Sequence, residues 1–158
     1  VVNSSPLIIL GKIGQIKLLE DLSDKLVIPE GVLEEINQGP ASDKARGWLN
    51  GGQGEQYIQK IEHFSPKVIA WDLGLGETEV ISWTEQNTDY TAIIDDRAAR
   101  NCCEALNTEV IGSLGVILIA KKEGLIKEIK PLFNQIIAQN FRISPEIKTL
   151  ILELAQEK

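Results

Sequence analysis

The sequence predicts an α/β protein: a three-layer αβα sandwich with a central parallel sheet and a C-terminal helical hairpin. Three observations predict it. Short β-branched runs alternate with segments of helical period up to about residue 124, polar residues capable of chemistry stand directly after several of those runs, and from residue 125 onward the pattern is helical only. Strands separated by connections of helical length pair in parallel, because an antiparallel hairpin needs only a tight turn.

Val1-Val2 reads as a short strand end. Ser5 followed by Pro6 signals an N-cap and first turn for a helix through Leu7, Ile8 and Leu10. A helical stretch over 15–22 leads to a strand over 26–28, stopped by Pro29, and to a third helix through Glu35 and Ile36. Residues 39–54 are rich in Gly, Ser and Asn around a helical piece over 43–49, and 57–61 suits strand or helix. Gly74-Leu75-Gly76 opens a helix over 77–86; 91–94 is a strand ending in Asp95-Asp96, followed by a helix over 98–106, a strand over 109–111 and a helix over 113–122. Two amphipathic helices, 126–139 and 145–156, form the hairpin, joined at Asn140-Phe141-Arg142. Their apolar faces, including Leu132, Ile136, Leu150 and Leu154, are expected to cover the domain or a twofold partner, and a homodimer is the expectation.

With 158 residues, 43% of them hydrophobic and 25% charged, the chain can bury a core of its own. One domain over 1–158 is expected, an α/β core over 1–124 and the hairpin over 125–158. The only cysteines, Cys102 and Cys103, are adjacent, which excludes a disulfide framework or a Cys-x-x-Cys metal clip and leaves reduced core thiols. The longest apolar run, 111–120, is too short and glycine-interrupted to span a bilayer, and no basic, apolar leader opens the chain, so a cytoplasmic protein is expected. A start at Val1, with no methionine anywhere, suggests a first strand that lacks native residues. The net charge of −7 argues against broad adhesion to nucleic acid, which relies on Lys and Arg neutralising phosphates. A nuclease is not excluded, because bound divalent cations invert the field of an acidic site.

Parallel sheets bind ligands beyond the carboxyl ends of their strands. That rule brings forward Asn3-Ser4-Ser5, Glu34-Glu35, Asp95-Asp96 and, from a helix start, Glu77. Each helical residue advances about 100° around the axis. Glu77, three and four residues before Val80 and Ile81, is therefore placed on the inward face, and Glu79 points away. In the third helix Val32, Leu33 and Ile36 form the buried stripe, with Glu35 on its flank and Glu34 opposite, in solvent. A carboxylate on an apolar face is costly unless paired or bound to metal. Glu77 thus needs a partner, and Arg97 or Arg100 in a plain ion pair is the simplest one.

Simple readings stand beside each functional one. Asp96 suits the N-cap of the helix beginning at Arg97, with Asp95 beside it at the positive helix end. Glu77 suits a first-turn acid, and Glu34-Glu35 a solvated pair. Convergence of the acids at one sheet edge is what favours function. His63 has no base, nucleophile or metal ligand at a telling spacing and reads as surface or packing. Gly74-Leu75-Gly76 lacks the third glycine of a dinucleotide fingerprint, Ser4 and Ser5 lack a histidine partner, and Trp48, Trp71 and Trp83 suit core or interface better than base stacking.

Taken in order, Val2-Asn3-Ser4-Ser5-Pro6-Leu7-Ile8, Ile28-Pro29 to Glu35-Ile36, Gly74-Leu75-Gly76-Glu77 with Val80-Ile81, Ile94-Asp95-Asp96-Arg97-Ala98-Ala99-Arg100, Ile111-Gly112-Ser113-Leu114-Gly115-Val116 and Phe141-Arg142-Ile143-Ser144 form a specific set. In these stretches the chain resembles the PIN-domain superfamily over nearly its whole length, on a branch close to the VapC-type toxins of toxin–antitoxin pairs. The resemblance implies a PIN-like fold and a Mg²⁺- or Mn²⁺-dependent endoribonuclease acting on single-stranded RNA, with an antitoxin protein as a partner. It implies metal ligation by Glu35, Glu77 and Asp96 with Asp95 as neighbour, and orienting roles for Ser4, Ser5, Asp95 and Arg97. It places Asn3 where the family's first aspartate stands. A neutral amide oxygen there implies a weak or water-mediated ligand and lower metal affinity. The alternative is a weakened PIN domain that binds RNA or protein without cleaving.

Overall fold

A computed structural model describes residues 1–158. Helices α1 (Ser4–Lys12) and α2 (Lys17–Leu22) lead into β1 (Ile28–Pro29), α3 (Glu30–Asn37) and α4 (Lys44–Asn50). A 3-10 turn at Glu55–Tyr57 precedes β2 (Ile58–Gln59), α5 (Pro66–Ile69), α6 (Leu75–Gln86), β3 (Ala92–Ile93) and α7 (Arg97–Ala105). The chain ends with β4 (Val110–Ile111), α8 (Ser113–Lys122), α9 (Lys130–Ala138) and α10 (Pro145–Leu154). The protein is mixed α/β and mostly helical.

The strands form two parallel pairs. Ile28 lies opposite Ile58 and Pro29 opposite Gln59; Ala92 lies opposite Val110 and Ile93 opposite Ile111. Residues 1–3 run between the pairs: Val2 makes a parallel bridge to Ile93, the Ile93 N–H donates to the Val1 carbonyl at 2.8 Å, and the Val2 N–H donates to the Val27 carbonyl at 3.2 Å. Paired segments stay short because Pro29 has no N–H to donate and because the chain turns into a helix directly after Asn3, Pro29, Asp96 and Gly112. Four helices, α1, α3, α7 and α8, therefore start from the carboxyl ends of parallel segments, and their N-termini gather on that side.

One buried apolar cluster of 33 residues extends from Val1 to Ala155. It includes Leu7, Ile28, Ile94 and Ile117 of the α/β part and Phe133 and Ile136 of α9, all with no exposed surface. The last two helices thus share the core. Cys102 and Cys103 are buried free thiols, and burial pushes the Cys102 thiol up to about 11. No helix is long and apolar enough to cross a membrane.

Several elements differ from expectation. α1 begins at Ser4, with Asn3 rather than Ser5 at the cap position in extended backbone, and Pro6 lies within its first turn. The ambiguous segment at 57–61 pairs as β2, and the single turn of α5, with Pro66 at its start, had no counterpart in the sequence reading. In the hairpin Leu132 and Ile136 are buried, but Leu150 and Leu154 are each 49% exposed and Ile147 43%. Ile151 and Ala155 turn inward instead. The apolar stripe of α10 is wider than its contact with the core, so periodicity alone did not select the buried edge.

Candidate functional site

Asn3 follows directly on the Val2 bridge, is 3% exposed, and its Oδ1 has no hydrogen-bond partner. A buried carbonyl oxygen without a donor costs about 1–3 kcal/mol and is uncommon, so this atom is open to a water, a further donor or a cation.

Next to it, the Ser4 hydroxyl donates to Glu35 Oε2 at 2.7 Å, and the Gly76 N–H donates to Glu35 Oε1 at 3.0 Å. A Cβ on Gly76 would sit 2.9 Å from that oxygen, which is why the second residue of α6 is a glycine. Glu77 turns its Oε2 back onto the Gly74 N–H at 3.0 Å. This is half of a capping box, since Gly74 has no side chain to reciprocate. Burial raises the Glu77 carboxyl above its ordinary value; the Gly74 N–H pulls it back, the Asp96 and Glu35 carboxylates raise it further, and the Asn3 amide offsets part of that. Glu77 therefore lies within reach of Asn3, Glu35 and Asp96 at one edge.

The two aspartates differ. Asp96 is exposed and caps α7, its Oδ1 accepting from the Ala99 N–H at 2.9 Å, which leaves its other oxygen free of protein donors. Asp95 has both oxygens engaged: Oδ1 accepts the Ser113 N–H at 2.7 Å and Oδ2 the Ser113 hydroxyl at 2.6 Å. It thereby ties the start of α7 to the start of α8. Ser113 is a contributor the sequence reading missed, although Gly112 beside it was a signal: a Cβ there would meet Asp95 Oδ1 at 2.9 Å.

Ser5 and Arg97 are exposed. The Arg100 guanidinium donates to the Ile94 carbonyl at 3.3 Å, and neither arginine pairs with Glu77, so the plain ion pair is not made. Glu34 is exposed, as expected. Glu79 corrects the helical-face argument: it is only 6% exposed, and its Oε2 accepts the Gly31 N–H at 2.7 Å. α6 packs on the core with one side and on α3 with another, so the side turned away from the face shared by Glu77, Val80 and Ile81 is buried too. Burial raises the Glu79 carboxyl, the Gly31 N–H opposes this, and Glu34, Glu30 and Glu35 add to the rise. His63 is exposed; Trp48 is buried and stacks on Tyr57, Trp83 packs edge-on against Tyr90, and Trp71 is 40% exposed.

As placed, no three of the carboxylates stand close enough together to share an ion. The donor types nevertheless suit a hard divalent cation, because carboxylate and amide oxygens are what Mg²⁺ and Mn²⁺ bind. The unpartnered Asn3 Oδ1 beside Glu77, an anion poorly stabilised by its surroundings, fits such a cation as well. A groove of about 1010 Å³ opens at the other end of the strands, against Val1, Lys25, Thr91 and Glu109, and none of the candidate acids lines it.

Parallel strands feeding directly into helices, with carboxylate and amide side chains near their carboxyl ends, define an α/β protein with an acidic sheet edge. The family model described as DUF3368, PIN domain, matches residues 1–157, and the chain belongs to this PIN-domain family. PIN domains are generally nucleases and typically use divalent metals. No curated protein and no solved structure matches the chain.

Proposed function

We propose that this chain is a Mg²⁺- or Mn²⁺-dependent endoribonuclease of the PIN type that cleaves single-stranded RNA, acting as the toxin of a toxin–antitoxin pair in the cytoplasm. The observation that carries the reading is the buried, unpartnered Oδ1 of Asn3 beside the raised carboxyl of Glu77. In this reading residues 1–158 are one domain, residues 1–3 unite the two strand pairs into the central sheet of a three-layer sandwich, and α9–α10 are its helical hairpin. A homodimer and an antitoxin partner belong to the same proposal.

Glu35, Glu77 and Asp96 hold the metal, with Asn3 as a neutral fourth donor. The metal, when bound, supplies an activated water and offsets charge developing on the phosphate. Ser4 orients Glu35 through Oε2; Asp95 fixes the strand-end geometry through Ser113, so that Asp96 starts α7 in place. Ser5 and Arg97, both exposed, stand on the side from which RNA approaches. Burial and the neighbouring Asp96 and Glu35 carboxylates raise the Glu77 carboxyl, and a cation held there would offset that repulsion.

Manganese-dependent cleavage of assorted RNAs, with Glu77→Gln as control, tests the proposal. Calorimetry adds a measure independent of activity: Asn3→Asp places an anionic oxygen at the orphan position and should tighten Mn²⁺ binding roughly tenfold, since unit charges about 4 Å apart at an effective dielectric near 20 attract by roughly 4 kcal/mol, much of it offset by the other carboxylates. Unchanged affinity in Asn3→Asp, together with RNA cleavage indifferent to Glu77→Gln, sinks the nuclease reading. One observation favours a second reading, a PIN domain acting as an RNA- or protein-binding module: both oxygens of Glu35 and of Asp95 already accept protein donors. RNA retention without cleavage at saturating Mn²⁺ selects it.

A further inference from the structure

We propose that Glu79 is a positioning residue for Glu35: α3 and α6 cap one another's first turns with carboxylates, and this reciprocal clamp sets where Glu35 stands at the acidic edge. The inference rests on the metal-site reading for its functional consequence, but its geometry does not.

Gly31 is the second residue of α3 and Gly76 the second residue of α6. First-turn N–H groups have no acceptor within their own helix. Here each finds one on the other helix: Gly31 N–H donates to Glu79 Oε2 at 2.7 Å, and Gly76 N–H donates to Glu35 Oε1 at 3.0 Å. In both helices the carboxylate that reaches across lies one turn beyond the glycine that receives, Glu35 after Gly31 and Glu79 after Gly76, which is the spacing that puts two residues on one face. The two bonds run in opposite directions across one contact.

Both receiving residues are glycines for the same steric reason. A Cβ would stand 2.4 Å from Glu79 Oε2 at position 31 and 2.9 Å from Glu35 Oε1 at position 76. Neither glycine has positive φ, so close approach of the carboxylates, not backbone conformation, is what requires them. Glu79 also lacks a cation: no Lys or Arg pairs with it, although it is 6% exposed. A buried carboxylate held by one N–H and a helix N-terminus is costly to keep. A Leu at this position would bury more favourably but would leave the Gly31 N–H without an acceptor and α3 free to shift along α6, carrying Glu35 with it.

The test uses the full chain and three substitutions. Glu79→Gln keeps an acceptor oxygen at the same reach, Glu79→Asp keeps the charge but is one methylene short, and Glu79→Ala removes both. Amide exchange at Gly31 and Gly76 is followed by NMR in metal-free protein, and Mn²⁺ affinity by calorimetry. With Glu79→Ala and Glu79→Asp, exchange should accelerate at Gly31 and also at Gly76, and Mn²⁺ should bind roughly tenfold more weakly, the low end of what loss of a ligand-orienting partner costs. Glu79→Gln should restore both to near the parent. Opening at Gly31 alone, with Gly76 protection and Mn²⁺ affinity unchanged, makes Glu79 a local cap and overturns the proposal. If Glu79→Ala does not fold, the remaining pair decides: Gln like the parent with Asp opened supports the clamp, and any other ranking overturns it. A parent that binds no Mn²⁺ at all sinks the metal-site reading alone, and coupled exchange at the two glycines then decides the clamp.

Discussion

Glu79 and Glu157 do the same mechanical job in two parts of the molecule under opposite electrostatic conditions. Each is a carboxylate that caps the first turn of a neighbouring helix. Glu79 accepts one N–H, from Gly31 of α3, and faces Glu34, Glu30 and Glu35. Glu157, just beyond α10, accepts two, from Ile129 at 2.6 Å and Lys130 at 3.0 Å at the start of α9, and pairs with Lys121 at 3.3 Å. Burial acts upward on both carboxyls. At Glu79 it wins, and the carboxyl is raised; at Glu157 the two N–H donors and the Lys121 ammonium outweigh it, and the carboxyl is lowered. A helix cap is therefore not of itself a stabilising charge. The number of donors and the sign of the neighbours decide.

The strongest way to break the comparison is to ask whether the two regions belong to one cooperative unit. Phe133 of α9 has no exposed surface and sits in the cluster that also holds Ile28 and Ile94. Phe133→Ala should cost about 3–5 kcal/mol and lower a single thermal transition for the whole chain. Two separate transitions by calorimetry would show that the last helices unfold on their own.

The next effect is smaller and contrasts in sign. At neutral pH Glu157→Gln should cost about 1–2 kcal/mol in urea unfolding, because a charged acceptor for two N–H groups becomes neutral. Glu79→Gln should be neutral or stabilising at the same pH, because it removes a buried charge and keeps an acceptor for Gly31. Equal losses in both would mean that the acidic neighbours of Glu79 do not matter.

The pH dependence sharpens the same point. A carboxyl raised in the folded state, as at Glu77 and Glu79, favours folding below its unfolded pKa, and that contribution is lost as pH climbs through the raised folded value. A lowered one, as at Glu157, contributes above the unfolded value and is lost as pH falls through the depressed folded value. Unfolding free energies across a pH series should therefore show Glu79→Gln flattening the decline from the ordinary carboxylate range toward neutrality. Glu157→Gln should flatten the decline on further acidification. The same slope change in both variants would contradict the assigned signs.

The smallest expected effect is on the surface of α10. Leu150→Ser and Leu154→Ser, at half-exposed positions, should each change stability by less than about 0.5 kcal/mol in a monomer. A larger loss that grows with protein concentration, together with a lighter species in sedimentation, would reveal the proposed homodimer through this stripe.

Local signals carried much of the fold. Asp96, Asp43 and Ser144 each cap a helix by accepting from the N–H three residues on, at 2.9, 3.1 and 3.2 Å. Contacts of that range are readable because both partners lie in one short window of sequence. The alternation of strand and helix, and the placing of Asn3, Glu77 and Asp96 at strand ends or helix starts, were legible for the same reason, as was Glu35 on the flank of the α3 stripe. The exposed face of α10 was not, because a stripe with several candidate buried edges is resolved only by what it packs against.

What the sequence determined by itself was periodicity, punctuation and the chemical kinds of residue at the carboxyl edge, since those depend on neighbours a few bonds away. Only the tertiary structure decided which carboxylates are taken and by whom. Glu79 meets Gly31 across 48 residues of chain, Glu35 meets Gly76 across 41, and Asp95 meets Ser113 across 18. A helical wheel sorts residues by angle around one axis. Whether an outward angle ends in water or against a second helix is set by how α3 and α6 pack, and that contact turned Glu79 from a presumed surface acid into a buried cap.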